Sequence, residues 1–327
     1  WTSLGATGGS SVRIDLLQES ADGPALFQTI TAATADDGEY IWTPALDSID
    51  FGTHGLRIQI SLVDDASVYD RSDEPFSVPE DGTQFFVDDA NATDDEFTGA
   101  ANGDYRHTGK TAASPKASLT GIFAEYNSGA GATVNVDTGT YALMVPLRLS
   151  GSFDFGFGLD EGFTLQGATT GEALITSAFP AETDWHGFQL YDADFVTLRN
   201  LAFEGFDYGV DVREGSDEFN ASGLRIADME RYGLVRYGDS ATAVLEDLDI
   251  RNTAGFDALY IRGSLDRISN VVIDGAGQDG IDIQAGIRLM EGLEISNFSQ
   301  YGIRGSNMGA VTVTSSEVTG GTYGIQI

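Results

Sequence analysis

Cysteine is absent from the 327 residues, which excludes a disulfide framework, thiolate metal sites and a cysteine nucleophile. Lysine is confined to Lys110 and Lys116, and 17 basic against 51 acidic residues leave a formal charge of -34. Phosphate backbones are held by clustered Lys and Arg that release counterions, so a chain of this sign repels nucleic acid. An anionic membrane surface is disfavoured on the same ground. No apolar run approaches the roughly 18 residues that a membrane span needs, so no membrane insertion is expected. Histidine occurs only at His54, His107 and His186, which argues against a His-rich catalytic or zinc centre. There is no initiator Met, and the chain opens on Trp1 and stops at Ile327 within a repeat. We therefore expect a piece of a longer protein, with neighbouring domains in the same chain.

What is present divides into two patterns. Residues 1–78 alternate as half-buried strands do, at Val12-Arg13-Ile14-Asp15-Leu16, Gly38-Glu39-Tyr40-Ile41-Trp42 and Leu56-Arg57-Ile58-Gln59-Ile60. Turn residues at Asp36-Asp37-Gly38 and Phe51-Gly52-Thr53 separate them, and this layout predicts a small β-sandwich. Residues 79–83 read as a linker. From residue 84 onward the chain repeats. A small residue followed by an apolar-x-apolar step recurs at Gly187, Gly209, Gly233, Ala258, Gly280, Gly302 and Gly324, at spacings of 22, 24, 25, 22, 22 and 22 residues. In a second register Asn200, Gly223, Asp247, Asn270 and Gly292 each precede another apolar-x-apolar step. Asn, Asp and Gly tolerate the left-handed backbone that a sharp turn between strands requires. Two strands, one such turn and a variable third side per repeat describe a coil of a parallel β-helix. The fold class is thus all-β, a right-handed parallel β-helix behind an N-terminal sandwich. Residues 84–186 form its lead-in and first coils, with an amphipathic helix over 116–126 as a cap, and 187–327 form regular coils that are C-terminally truncated.

Two resemblances add to this. Val12–Leu16, Asp37–Trp42, Leu56–Ile60 and Asp70-Arg71-Ser72-Asp73-Glu74-Pro75-Phe76-Ser77-Val78 resemble the Ig-like repeat of yeast cell-wall glucan proteins, reused in bacterial surface proteins. That likeness implies a spacer or presentation module. Phe86-Val87-Asp88-Asp89-Ala90-Asn91, Gly109-Lys110, Ser114-Pro115-Lys116-Ala117-Ser118-Leu119, Val134-Asn135-Val136-Asp137-Thr138-Gly139-Thr140-Tyr141 and Phe163-Thr164-Leu165-Gln166-Gly167 look like the start of pectate-lyase-like right-handed β-helix proteins of bacterial surfaces and secretions. The resemblance covers residues 84–327 and implies an extracellular or cell-surface protein that handles polysaccharide. It leaves the activity open, because one fold hosts many functions.

In such folds the outer face of the first strand carries the binding groove. Outward positions there are Gln189, Asp211, Val235, Tyr260, Asp282, Arg304 and Gln326, followed by Tyr191, Arg213, Tyr237, Arg262, Gln284 and Ser306. A column just before the strand holds His186, Tyr208, Tyr232, Asp257, Asp279, Tyr301 and Tyr323. Tyrosine rings offer apolar faces with a polar tip, and arginine grips carboxylate or sulfate with a planar fork. The glycan-binding candidates are Tyr191, Asp211, Arg213, Tyr237, Tyr260, Arg262, Asp282, Gln284 and Arg304. Arg236 lies beside them, and four arginines on this strand suggest an anionic partner. The plainer alternative is that Asp282 and Arg304 simply pair across neighbouring coils, worth about 0.2–1 kcal/mol.

Two catalytic versions use the same face. In one, Asp257 and Asp279, one coil apart with Asp282 close by, act as glycosidase carboxylates, which in retaining enzymes lie roughly 5 Å apart. In the other, Arg262 or Arg304 neutralises a uronate carboxylate while Tyr260 abstracts a proton. Asn252-Thr253-Ala254-Gly255-Phe256-Asp257 and Gln278-Asp279-Gly280-Ile281 look like polygalacturonase segments, but Ala254 and Gly280 stand where that family has Asp, and Tyr301-Gly302 replaces its Gly-His. These departures weaken a catalytic reading. No cofactor is required. Calcium is the candidate ion, at Asp88, Asp89, Asn91, Asp94, Asp95 and Glu96, a hard-oxygen cluster that could equally be a solvated acidic loop. The expectation is a surface module that binds polysaccharide or a cell-surface glycan. Its alternatives are a carbohydrate-active enzyme on an anionic glycan and a structural rod that self-associates end to end.

Overall fold

The computed structural model describes residues 10–18, 24–42, 56–72, 84–91, 93–126, 131–150, 162–179, 184–240 and 242–327. The Phe51-Gly52-Thr53 turn, His54, the closing segment over 73–78 and the 79–83 linker lie outside them. The chain divides into two compact units, Trp1–Glu80 and Asp81–Ile327.

In the first unit four antiparallel strands pair in the order Ala25–Ala35, Ser11–Gln18, Leu56–Leu62, Tyr69–Arg71. Val12, Ile14 and Leu16 are buried, as their alternation predicts. The expected strand over Gly38–Trp42 does not form, and Ala25–Ala35 takes the edge position instead. That run is rich in Thr, which suits a strand but masks the alternation. The described residues of this unit make one sheet, and an Ig-like pairing of two sheets is not among them.

The second unit is a parallel β-solenoid. Eight strands stack as its first face: Leu147–Ser150, His186–Tyr191, Tyr208–Val212, Tyr232–Arg236, Leu259–Ile261, Ile281–Ile283, Tyr301–Gly305 and Tyr323–Gln326. Phe188 pairs with Val210, Val210 with Leu234, Leu234 with Leu259, Leu259 with Ile281, Ile281 with Ile303 and Ile303 with Ile325. This is the register of the repeat in the sequence. A 13-stranded sheet makes the second and third faces, which adjoin at the predicted left-handed residues: φ is 53° at Asn200, 63° at Gly223, 53° at Asp247, 52° at Asn270 and 63° at Gly292. A second left-handed column, at Gly205, Asp228, Asn252, Gly275, Asn297 and Gly320, ends the third face. Its residue types follow the same rule, although the sequence pattern did not single it out. Asn side chains link coils in both columns, Asn270 Nδ2 to Asp247 Oδ1 at 3.1 Å and Asn252 Nδ2 to Asp228 Oδ1 at 2.9 Å.

The interior is filled by stacked apolar columns such as Phe203, Ile226, Ile250, Ile273 and Ile295. Each side chain of this kind contributes about 1.5–3 kcal/mol when removed from water. The third face also explains the small-residue column. A Cβ on Gly209 would lie 2.7 Å from Ile226 Cγ2 and one on Gly280 2.5 Å from Ile295 Cγ2, so at these glycines the close approach of the first strand leaves no room for a side chain, and Ala258 is the largest residue in the column. Among the described residues the one helix is Leu119–Glu125, shorter than the expected 116–126, with the Ser118 hydroxyl accepting the Gly121 N–H as N-cap. No helix among them is long and apolar enough to cross a membrane.

Candidate functional site

The outward positions of the first face follow the predicted columns, with Gln189, Asp211, Val235, Tyr260, Asp282 and Arg304 in register on successive coils. Parallel strands stack roughly 4.8 Å apart, which is close to ring-stacking distance. His186 and Tyr208 accordingly stack at 4.5 Å between centroids, Tyr208 and Tyr232 at 5.5 Å, and Tyr301 and Tyr323 at 4.8 Å. Phe256, not Asp257, continues the first stack, 5.0 Å from Tyr232. That ring was missed because the apolar residue falls one position out of the repeat.

Across the middle of the face runs a band of three half-buried tyrosines. Tyr260 lies 5.7 Å from Tyr232 on one side and 6.1 Å from Tyr237 on the other. The guanidinium groups of Arg213 and Arg262 sit 5.7 and 5.6 Å from the Tyr237 ring centre, and Arg148 lies 5.5 Å from that of Tyr191. Arg262 is exposed and has no carboxylate partner among the described residues. Beside Tyr237 and Arg262 opens a recess of about 430 Å³, lined also by Glu214, Gly215, Asp217, Gly238 and Asp239. Loop length creates it. Asn220 follows Val212 by eight positions and Val244 follows Arg236 by eight, whereas Arg267 follows Ile261 by only six. These long loops are pinned by an aspartate ladder in which Asp194, Asp217 and Asp239 each accept a backbone N–H from the next coil, of Asp217, Asp239 and Ser264, at 2.7 Å.

Polar clusters flank the tyrosine band. On one side the buried Asp211 carboxylate accepts from Gln189 Nε2 at 3.1 Å and Arg213 Nε at 2.7 Å, with His186 Nδ1 at 3.1 Å but off the hydrogen-bond line. On the other side stand Asp257, Asp279 and Asp282, all buried. Asp257 Oδ1 accepts the Asp279 N–H and Asp279 Oδ1 the Tyr301 N–H, each at 3.0 Å. Arg304 donates to Asp282 and lies 3.0 Å from Asp279 Oδ2, while Gln284 Nε2 donates to Asp282 at 3.1 Å. Burial first, then the charges of Asp279 and Asp282, raise Asp257 to about 7, against the pull of that backbone N–H and of Arg304. Burial likewise raises Asp279.

The structure therefore brings Tyr237, Tyr260, Arg262 and Arg213 together near the solvent and sets Asp211 and Asp282 beneath their neighbours. Gln284 and Arg304 lie at the acidic end and Tyr191 at the other. Arg236 is a correction. It points inward, in the column of Val212 and Ile261, fully buried, with Nη1 donating to the carbonyls of Gly263 at 3.2 Å and Ser264 at 2.9 Å. Burial lowers it to about 10. Of the four arginines that suggested an anionic partner, Arg236 faces the core, Arg213 pairs with Asp211 and Arg304 with Asp279 and Asp282. Burial also raises Tyr260, which works against proton abstraction by its phenolate. At Gly280 a Cβ would meet the Gly302 carbonyl at 2.6 Å, so this position holds no second aspartate for a physical reason.

No known protein family and no curated protein matches this sequence. Among solved structures the chain is similar to pectate lyase Pel9A, at 11% identity over 75% of this chain and 78% of that one, with a TM-score of 0.49. It is also similar to an alginate lyase from a Paenibacillus species, at 14% identity over 62% of this chain and 94% of that one, TM-score 0.33. A third similarity is to the catalytic unit of a GH87 alpha-1,3-glucanase from Streptomyces thermodiastaticus, at 14% identity over 98% of this chain and 70% of that one, TM-score 0.32. These values carry no argument about activity. The class, a parallel β-solenoid, rests on the strand pairing itself.

Proposed function

We propose that this chain binds a polysaccharide along the outer face of the first sheet, in an extracellular or cell-surface setting, with the N-terminal unit as an Ig-like spacer. The observation that carries this reading is the tyrosine band Tyr232–Tyr260–Tyr237, flanked by hydrogen-bonding clusters and open at the Arg262 recess. Aromatic rings offer the apolar face on which a sugar ring can pack, while Arg262 and Gln284 supply donors at its rim. A repeating surface suits a repeating ligand. With three of the four arginines committed internally and a formal charge of -34, a neutral polymer is favoured over a polyanion, whose approach the field of the protein opposes. The test is a glycan array followed by calorimetry. Tyr237→Ala and Arg262→Ala should each weaken binding about tenfold; full affinity in the double variant would show that the ligand binds elsewhere.

A second reading, a glycoside hydrolase, is favoured by Asp257 alone. A carboxyl held near neutrality beside a second carboxylate is the arrangement that separates acid from base roles. Asp257 and Asp279 each spend one oxygen on a backbone N–H of the next coil, which by itself is a structural duty. Release of reducing ends from the polymer that binds best, lost in Asp257→Asn, would establish the enzyme.

A further inference from the structure

The lead-in of the solenoid holds two carboxylates that meet no hydrogen-bond donor in good geometry among the described residues. Asp88 follows the strand Gln84–Val87, which ends the 13-stranded sheet. It is 0% exposed, the Asp89 N–H acts on it only weakly, and among the described residues neither of its carboxylate oxygens has a hydrogen-bond partner in good geometry. The same is true of both oxygens of Asp95 in the loop that follows. Their neighbour Asp137 shows how this segment treats a carboxylate that it satisfies by itself. Asp137 accepts the N–H groups of Glu96, Phe97, Thr98 and Thr138 and the Thr98 hydroxyl, at 2.6–3.1 Å. Asp89 likewise accepts the Asn91 N–H at 2.6 Å and the Thr140 N–H at 3.3 Å.

Among the described residues no positive side chain pairs with Asp88 or Asp95. The charged groups nearest in effect to Asp88 are the carboxylates of Asp95, Asp89 and Asp137. Lys116, the buried amine of this region, donates to the carbonyls of Tyr105 and His107 and pairs with Glu125 at 2.7 Å. A buried carboxylate without donors costs several kcal/mol, and the charge of the half-buried Asp95 adds to the cost at Asp88.

We propose that Asp88 and Asp95 hold a hard divalent cation, Ca²⁺, which ties the loop to the terminal strand of the solenoid. No group of three or more Asp, Glu or His side chains among the described residues is arranged to hold a metal. The site therefore has two carboxylate residues, completed by main-chain carbonyls and water. Ca²⁺ accepts such a mixed oxygen set, whereas a structural Zn²⁺ site needs four N or S ligands. Of the residues that the sequence suggested, Asn91 spends its amide oxygen on the Thr93 hydroxyl at 2.7 Å and Glu96 accepts from Thr169. Asp94 contributes its carbonyl to the hydroxyls of Thr138 and Thr170, at 3.0 and 2.7 Å. These contacts order the loop around the two carboxylates.

The experiment uses the whole chain stripped with chelator. Calcium chloride should raise its melting temperature by several degrees, as binding to the folded state alone requires. Terbium should give luminescence sensitised through Tyr141, a buried ring whose hydroxyl donates to the Asp137 carbonyl at 2.9 Å, and calcium should compete it away. Asp88→Asn and Asp95→Asn should each abolish both responses while melting, without calcium, at or above the wild-type temperature, because each removes an unpaired buried charge. Tyr237→Ala should keep both responses, so failure here and failure of the glycan reading are separable. No calcium shift in the wild-type chain, or a full shift in both Asn variants, would overturn the proposal.

Discussion

Replacing Asp257 with Asn should stabilise the protein, and by an amount that grows with pH. Burial raises this carboxyl from 3.8 to about 7. A group whose folded pKa is raised favours folding while it is protonated, and that contribution is lost as pH rises from the unfolded value through the folded one. At 1.36 kcal/mol per pH unit of displacement, keeping this group buried costs the fold about 4 kcal/mol above pH 7 and well under half of that at pH 5, where the folded carboxyl is still protonated. Asparagine is neutral throughout and keeps an oxygen to accept the Asp279 N–H, which Asp257 Oδ1 holds at 3.0 Å. Urea unfolding of both proteins at pH 5 and pH 8 measures the difference directly. The Asn variant should gain about 4 kcal/mol at the higher pH and well under half of that at the lower. Equal stability at both pH values, or a loss at pH 8, would refute the reasoning, because the carboxylate would then be well paired in its ionised form. A residue that lowers stability at neutral pH invites a functional explanation, and the same variant serves the reducing-end assay.

Two further outcomes follow from the same geometry. Arg236→Ala should destabilise by about 3 kcal/mol or more, since it leaves a cavity and two orphaned carbonyls. Glycan affinity should not change, and a selective loss of affinity with stability intact would place Arg236 outside the core. Asn270→Ala should cost about 1–2 kcal/mol by forcing a Cβ into left-handed backbone, while Asn270→Gly should recover part of that loss; thermal unfolding of the three proteins orders them, and an unaffected Ala variant would contradict the turn.

The solenoid was legible because its determinants are local and repeated. Gly223 and Asn270 mark turns by their own backbone preferences, and spacings of 22–25 residues place Asp211, Tyr260 and Asp282 in one column before any contact is known. The left-handed column at Asp228, Asn252 and Asn297 was equally available and went unread, because no conspicuous apolar step follows it. In the N-terminal unit, Val12–Leu16 and Leu56–Ile60 announced themselves by alternation, whereas Ala25–Ala35 is Thr-rich and half-exposed and gave no such signal.

Only the tertiary structure could decide what each column position does. Arg236 sits at a core position because Gly263 and Ser264, a coil away, turn their carbonyls toward it. Asp88 and Asp137 are both buried aspartates near the start of the solenoid. One is saturated by N–H groups that arrive from residues about 40 positions away, and the other lies under the charges of Asp95, Asp89 and Asp137. The sequence by itself determined the coil, the registers and the face on which Tyr237, Tyr260 and Arg262 meet, since backbone preference and hydrophobic period act over a few residues. Hydrogen-bond satisfaction and burial depend on which distant groups converge, and these raise Asp257, turn Arg236 inward and leave Asp88 buried without a well-placed donor among the described residues.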